Sequence, residues 1–314
     1  MFRKYLAEQC LARRNDAKRF VSIGAGNCDL EIDLGLHLRT AGYDDFIIDC
    51  LDLNTDMLER GRTAAAKAGV AAHVNFVQAD FNAWTPAHQY DAVIANQSLH
   101  HVLELEDLFA QIKSSLKPHG SLVVSDMIGR NGHQRWPEAL EIVHQFWRQL
   151  PPSYRLNRKL QRYEELYQDW DCSLEGFEGI RSQDILPLLL EYFQFRLFIG
   201  FGNVIDPFVD RAFGFNFDAA QAWDRSFIDR VHQRDQEAIV SGRIGPTHIP
   251  RRASWKLPGE DFRPLFRIIC NSRPTARSGI LRKSPCRCGR PIRLESRADS
   301  LLRQQGRGGL HLHL

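Results

Sequence analysis

A glycine turn after the first strongly apolar run is the first candidate for ligand binding. The run VSI precedes Gly24-Ala25-Gly26, and the residues that follow have the character of an opening helix. Glycine permits a tight turn at Gly24 and lets a ligand approach the backbone at Gly26. A dinucleotide loop has a third glycine three residues later, where this chain has Asp29, whose carboxylate would repel a pyrophosphate. The turn predicts a ligand site and disfavours a dinucleotide, although a G-x-G pair alone is also typical of ordinary turns.

Side chains suited to a nucleoside follow the next apolar runs. Asp52 lies 28 residues after Gly24, where a carboxylate can accept hydrogen bonds from both hydroxyls of a ribose. Asp80 would accept from an adenine amino group, and Phe81 would supply a flat face beside the ring. Each is also a common loop residue, and Asp52 would serve as a helix cap if Asn54 were not better placed for it. Because the ends of parallel strands share one rim of a sheet, these side chains are expected to converge there.

Two adjacent histidines are the candidates for proton transfer. Asn96 ends the fourth apolar run, and His100 and His101 follow it at the mouth of the expected site. Imidazole takes up a proton near neutral pH, so either ring is a candidate general base. Asp126, at the end of the fifth run, is the third candidate on this side. The alternative roles are packing or a hydrogen-bonding wall for the histidines and structural capping for Asp126.

The elements that must position these residues alternate between short apolar runs and amphipathic segments, which predicts repeated βαβ units around a parallel sheet. The expected fold class is α/β, a Rossmann-like doubly wound, mostly parallel sheet with helices on both faces. Predicted strands cover 19–23, 46–53, 74–78, 90–95 and 121–126, and predicted helices cover 30–40, 55–68 and 105–116. The Pro and Gly at positions 118 and 120 are a stop signal for the last of these helices.

The pattern changes after the fifth strand. Residues 129–181 are expected to form a helical lid over the expected site, with a helix that begins at Trp136-Pro137. A helix at 182–192, a sixth strand at 193–201, two shorter helical pieces reaching Val240 and the start of a last strand at 245–249 should follow. The lid is rich in aromatic and cationic side chains, which are suited to bind a planar or anionic molecule: Arg130, His133, Trp136, His144, Trp147, Tyr154, Arg155 and Arg158. The alternative is that the tryptophans are helix core and the arginines a solvated face.

Charge separates the chain into two predicted regions, a domain at 1–249 and a basic tail at 250–314. Residues 251–314 hold 15 Lys and Arg against 4 Asp and Glu, whereas the remainder holds 26 against 34. The tail has neither helical nor strand periodicity, so we expect disorder or at most a short docked piece. A reading-frame change near Pro250 that replaced a native last strand is an alternative origin.

The number and spacing of the cysteines and the hydropathy of the chain indicate its cellular compartment and whether it binds a metal. The seven cysteines are scattered and odd in number, which favours reduced thiols, and neither a signal segment nor a bilayer-spanning run is visible. A cytoplasmic protein without a membrane partner is therefore expected. Cys286 and Cys288, with Cys270 and two late histidines, match no common zinc spacing, so no metal is expected.

The motifs taken together resemble the class I S-adenosylmethionine-dependent methyltransferases, and within them the broad small-molecule methyltransferase domain group. The resemblance covers about residues 17–128. It implies that Gly24, Ala25 and Gly26 pass beneath the methionyl part of S-adenosyl-L-methionine. It implies further contacts to the ribose and adenine from Asp52, Leu53, Asp80, Phe81 and Asn96. The family often has glycine where this chain has Cys28, which puts the tightness of cofactor binding in doubt.

Three functions are compatible with these motifs. The leading hypothesis is methyl transfer to a small-molecule acceptor, at an oxygen. The second is an RNA or protein methyltransferase whose basic tail holds the substrate. It is not favoured, because Asn96-Gln97-Ser98-Leu99 differs from the D/N-P-P-Y/F/W tetrapeptide of nucleic-acid amino-methylating enzymes. The third is a non-catalytic protein that binds the cofactor, for which Cys28 is the hint.

Overall fold

The computed structural model describes residues 17–174, 176–195, 197–249 and 270–272, and the statements below concern those residues. The predictions for the remaining tail, including its zinc spacing and the reading-frame alternative, lie outside them. Among the described helices, none is long and apolar enough to cross a membrane.

A seven-stranded sheet forms the centre of the fold. Its parallel strands alternate with helices in the first 125 residues: β1 Lys18–Ile23, α1 Asp29–Thr40, β2 Phe46–Asp52, α2 Thr55–Lys67, β3 Val74–Gln78, β4 Tyr90–Asn96, α3 Leu105–Ser115 and β5 Leu116–Ser125. The spatial order of these strands is β3-β2-β1-β4-β5, and each neighbouring pair is parallel. The order reverses between β1 and β4, and a doubly wound sheet binds its ligand beyond the carboxyl ends of the strands at that point. The predicted fold class is confirmed.

Two apolar clusters hold the helices on the two faces of the sheet. On one face, Phe109 and Ile112 of α3 pack with Val93 of β4. On the other, Leu34 and Leu38 of α1 pack with Ile48 and Leu58 from β2 and α2. Strands covered on both faces are buried along most of their length, which is why they read as continuous apolar runs.

The second half adds a helical layer with its own core. Its elements are α4 Pro137–Trp147, the short strands β6 Leu156–Asn157 and β7 Arg162–Tyr163, α5 Ser182–Tyr192, β8 Phe193–Phe195, α6 Asp206–Val209 and α7 Ala222–Val240. Trp147 is fully buried and packs edge-on to Phe213, in a cluster that joins α4 to residues 204–244. The predicted lid segment is therefore packed against the later helices, with Trp147 in the core and Trp136 exposed.

The end of the sheet differs from the prediction. The sixth strand stops at Phe195, and residues 245–249 contribute only bridges, from His248 to Met127 and to Phe201. Gly202 turns the chain at φ +68°, and Pro246, which lacks an N–H, lies against Gly200, so the ladder cannot continue. The last strand is β9 Cys270–Ser272, antiparallel to both β5 and β8. Strand pairing thus extends beyond residue 249; the rest of the predicted domain division stays a prediction.

Candidate active site

The glycine turn is held in one conformation by its neighbours. Gly24 and Gly26 have φ of +67° and +55°, the left-handed region that favours glycine. A Cβ on Gly24 would lie 2.5 Å from Cβ of Ser98 and 3.7 Å from Cε1 of Phe81, so three strand ends meet here. Around Gly26 a Cβ would meet only Sδ of Met57, at 3.9 Å. Gly24 is therefore a packing contact, whereas Gly26 leaves its backbone open to a ligand.

Asp52 is tied directly to that turn. Its Oδ2 accepts a hydrogen bond from the Gly26 N–H at 2.8 Å, and its Oδ1 accepts from the Asn54 N–H at 2.8 Å. Each carboxylate oxygen keeps a second lone pair, and the side chain is half-buried. Asn54 caps α2 by accepting from the N–H groups of Asp56 and Met57, as its sequence position indicates. Asp52 is thus free of a capping role and shapes the turn that it would share with a ribose.

Asp80 and Phe81 lie on the other side of the turn. Asp80 is exposed, and its Oδ1 accepts from the backbone N–H and the side-chain amide of Asn82, at 2.9 and 3.1 Å. The Oδ1 of Asn82 in turn accepts from the N–H of Leu103 at 2.8 Å, which joins this loop to the start of α3. Leu53 is exposed beside Asp52, and Asn96 is half-buried at the end of β4. The structure places all the predicted cofactor-binding residues at this rim.

Cys28 has a backbone conformation that favours glycine. It is the N-cap of α1 with φ 59° and ψ 27°, a left-handed conformation that is costly for a side chain. The side chain is fully buried and packs in the core between α1, α2 and β2, and a Cβ on Gly61 would lie 3.0 Å from its Sγ. The thiol therefore points into the core and leaves the open face of the turn clear.

Asp126 is a buried hub that orients His100. Its Oδ2 accepts from the N–H groups of Ser98 and Leu99, at 2.9 and 2.8 Å, and its Oδ1 accepts from the Met127 N–H at 2.8 Å. The same Oδ1 lies 2.5 Å from Nδ1 of His100, and Asp126 is 0% exposed. Asp126 therefore does not face an acceptor. Burial lowers the pKa of His100, but the hydrogen bond and charge of Asp126, with the charge of Glu178, outweigh it and raise that pKa above its usual value.

His101 is presented differently. Its Nδ1 lies 2.7 Å from the carbonyl oxygen of Phe177, so Nδ1 carries the proton that this contact needs, and in the neutral ring the lone pair is on Nε2. The ring lies against His100, with centroids 4.0 Å apart, and 37% of its side chain is exposed. This tautomer is the one that a proton acceptor requires.

Two residues join this site that sequence motifs do not reveal. Nε2 of His133 lies 2.8 Å from Oε1 of Glu178, and Nε2 of His100 lies 3.6 Å from the same oxygen. The hydrogen bond from His133, against some opposing burial and with help from the three imidazoles, lowers the pKa of Glu178 to about 2. His133 was visible only as part of the lid's cationic character, and Glu178 had no signal, because the contacts span 45 and 78 positions of sequence.

The rim fits a nucleoside that carries a positively charged sulfur. Asp52 offers unused acceptor positions, Phe81 offers a ring, and Gly26 offers backbone that a side chain would fill. Ser98 Oγ is buried with no hydrogen-bond partner among the described residues, an orphaned polar atom beside Gly24. S-adenosylmethionine has no phosphates, so neither the missing third glycine nor Asp29 opposes it.

Comparison with known proteins agrees with this geometry. Residues 22–120 match the family model described as "Methyltransferase domain". The chain is 30% identical over 112 residues to trans-aconitate 2-methyltransferase of Streptomyces coelicolor, covering 35% of this chain and 34% of that protein. It is 31% identical over 125 residues to the ubiquinone/menaquinone biosynthesis C-methyltransferase UbiE of Stutzerimonas stutzeri, covering 40% and 46%.

The solved structures include an S-adenosylmethionine-dependent methyltransferase from Clostridium acetobutylicum. It is 14% identical to this chain, with a TM-score of 0.34, over 41% of this chain and 54% of that one. Among the two curated relatives above, the match spans about a third to a half of each relative's length. Together, the strand order, the four motifs at the strand ends and the family match identify residues 22–120 as a methyltransferase domain of the class I S-adenosylmethionine-dependent type.

Proposed function

We propose that this chain catalyses transfer of a methyl group from S-adenosylmethionine to an oxygen atom of a small-molecule acceptor. The bound cofactor supplies a methyl group on a sulfonium, which is already a good leaving group. The protein's task is then alignment, exclusion of water and removal of the acceptor's proton. One relative named for O-methylation supports an oxygen acceptor: malonyl-[acyl-carrier protein] O-methyltransferase 2 of Ilyobacter polytropus, 27% identical over 31% of this chain.

The cofactor side of the site uses the rim residues. Asp52 would accept from the ribose hydroxyls through the lone pairs that Gly26 and Asn54 leave unused. Phe81 would lie beside the adenine, with Asp80 accepting from its amino group. Gly24, Ala25 and Gly26 would lie beneath the methionyl part. The single observation that carries the proposal is the meeting of Gly24, Phe81 and Ser98 with the turn that Asp52 holds, because it brings four strand ends together at one rim of the sheet.

The acceptor side uses the histidines. His101 is the better placed general base, because its Nε2 lone pair is free and its side chain reaches solvent. His100 is fixed by Asp126 and lies directly against the His101 ring. We therefore assign His101 the proton-accepting role and His100 and Asp126 the positioning of this side of the site.

Calorimetric titration with S-adenosylmethionine and its demethylated product tests the cofactor assignment. Asp52→Ala should weaken binding by at least about 100-fold, because hydrogen bonds to a charged group contribute about 1.5–3 kcal/mol each. The matched control is Asp56→Ala, an exposed carboxylate in the first turn of α2, which should leave affinity unchanged. Equal affinity of the Asp52 variant and wild type would refute the assignment.

Methyl transfer from labelled cofactor to a panel of small carboxylic acids and alcohols tests the acceptor class. We expect wild type to transfer label to these acceptors. We expect His101→Ala to transfer much less label while it keeps its affinity for the cofactor. Salt-dependent RNA binding and RNA labelling, both lost on deletion of residues 251–314, would replace the proposal with an RNA methyltransferase. Cofactor binding with no transfer to any acceptor would leave a binding protein.

A further inference from the structure

Three side chains at the acceptor side converge on one point. One donor atom each from His100, His133 and Glu178 lies within 4.8 Å of the other two. Two of these separations are 2.8 and 3.6 Å, both measured to Oε1 of Glu178. Ligands on one tetrahedral ion with bonds of about 2.0–2.1 Å stand about 3.4 Å apart. The two separations from Oε1 of Glu178 lie on either side of this distance, and the third is no more than 4.8 Å.

Backbone hydrogen bonds hold the three residues in register. The Ile180 N–H donates to the carbonyl of His100 at 3.2 Å, and the Gly132 N–H donates to the carbonyl of Gly179 at 2.8 Å. The turn that carries Glu178 is therefore tied to both turns that carry the histidines. Gly179 has φ +70°, and a Cβ there would lie 3.0 Å from Cε1 of His133, so glycine is needed for this approach. Preorganisation of this kind is what a coordination site requires.

The surrounding partners also suit coordination. Nδ1 of His100 is bonded to the buried carboxylate of Asp126, which directs its Nε2 toward Glu178. A carboxylate on the far nitrogen of a ligating histidine is the usual outer partner in metal sites, because it fixes the ring and raises its basicity. Glu178 is 46% exposed at its side chain, so an ion has a path from solvent.

We propose that His100, His133 and Glu178 bind a divalent transition-metal ion, with Asp126 as the outer partner of His100. Two imidazoles and one carboxylate are a donor set for Zn²⁺, Fe²⁺, Mn²⁺ or Co²⁺, with positions left open for other ligands. Oxygen atoms of the methyl acceptor would take those open positions. That use of the ion rests on the proposed function, whereas binding of the ion does not. His101 remains outside the donor set as the base.

Titration of Co²⁺ into the full-length chain after EDTA treatment and removal of the chelator tests the site. Visible d–d absorption and calorimetry should show one ion per chain in wild type. Glu178→Gln keeps the shape of the side chain and one acceptor oxygen but removes the carboxylate, and His133→Gln removes the imidazole. Each should weaken Co²⁺ binding at least about tenfold, the effect already expected for a lost outer partner. His119→Ala, an exposed histidine on β5, should change nothing.

Two further variants and one binding measurement separate the outcomes. The double variant Cys286→Ser, Cys288→Ser should still bind one Co²⁺ ion per chain. If this variant loses Co²⁺ binding while His133→Gln keeps it, the proposal is overturned. No binding in wild type would also overturn it. Glu178→Gln should bind S-adenosylmethionine with the affinity of wild type, and this binding shows that the variant is folded. If wild type binds Co²⁺ but does not bind S-adenosylmethionine, the proposed function is refuted and the metal site is supported.

Discussion

Replacing Gly24 by alanine tests the contact that joins the glycine turn to the end of β4. The new Cβ would lie 2.5 Å from Cβ of Ser98, a distance that real Cβ atoms essentially never show. Because the Ser98 Cβ is fixed to its own backbone, rotation of a side chain cannot relieve the contact. Either the turn or the end of β4 must move.

The magnitude separates into two contributions, and Gly42 isolates the first. Gly42 has φ +75°, and a Cβ there would have nothing within 4 Å, so Gly42→Ala carries only the cost of the left-handed backbone, about 1–2 kcal/mol. Gly24, with φ +67°, carries the same cost plus an overpacking cost of about 1–3 kcal/mol. Gly24→Ala should therefore unfold at lower urea concentration than Gly42→Ala, with a difference of about 1–3 kcal/mol.

Cofactor affinity should distinguish the two variants more sharply than stability. Movement at Gly24 displaces the turn that Asp52 holds, so S-adenosylmethionine affinity should fall at least about tenfold, equivalent to about 1.4 kcal/mol. Gly42 lies between α1 and β2, at the opposite end of the strands, and its variant should bind like wild type. Calorimetric titration measures both.

A second substitution decides whether the clash is the cause. Ser98→Gly removes the atom that an alanine methyl at position 24 would meet, so the double variant should regain the overpacking part of the stability and most of the affinity. The coupling between the two positions should be about 1–3 kcal/mol. Additive effects, or equal stability of Gly24→Ala and Gly42→Ala, would refute the reasoning.

Two further predictions concern the core beneath the turn. Cys28→Gly should be more stable than Cys28→Ala by about 1 kcal/mol, because only alanine keeps a Cβ at φ 59°. Urea unfolding of the two variants side by side measures the difference, and equal stability of the two variants would contradict it. Burial raises the pKa of Glu31 to about 7, so its protonated form is favoured by folding and wild-type stability should fall as pH rises from about 4.5 to 7, by about 3 kcal/mol in total. Glu31→Gln should lack this loss, so the stability of this variant relative to wild type should increase between about pH 4.5 and pH 7, and a constant difference would count against the shift.

The rim of strand ends that we propose to bind the cofactor was predictable because its sequence signals are local. The strands β2 and β4 are mostly apolar, and the residue that matters stands at the end of each strand, as with Asp52 and Asn96. Gly24 and Gly26 predict the turn by themselves, because the turn needs positive φ at both positions and glycine adopts positive φ without strain. What could not be read was that Ser98 fills the space above Gly24.

The second half was harder to predict because its buried faces are partly polar. Residues 222–240 form one 19-residue helix rather than the last of two shorter pieces. Asp224 and Asp235 lie on its buried face, where Asp224 accepts from the Tyr154 hydroxyl at 2.7 Å and Asp235 accepts from the Val204 N–H at 2.9 Å. Acids on a buried face interrupt the apolar stripe that a periodicity argument needs.

Glu178 and His133 escaped prediction for a related reason. Their turns carry no apolar periodicity. They meet His100 through tertiary contacts: α5 packs on α3, and Ile180 hydrogen-bonds to the backbone of His100 just beyond the end of β4. Donor atoms brought together across loops have no characteristic spacing in sequence. By contrast, an H-E-x-x-H helix presents its ligands at fixed intervals.

The two halves of the site are mechanically joined through one buried carboxylate. Gly24 lies against Ser98, the Ser98 and Leu99 N–H groups donate to Asp126, and Asp126 fixes His100. A displacement of Ser98 by a side chain at position 24 therefore reaches the histidines as well as the cofactor turn. Through this path, Gly24→Ala should weaken Co²⁺ binding as well as cofactor binding, and Ser98→Gly should restore both together. Recovery of cofactor affinity without recovery of Co²⁺ affinity would show that the turn and the histidine cluster respond independently.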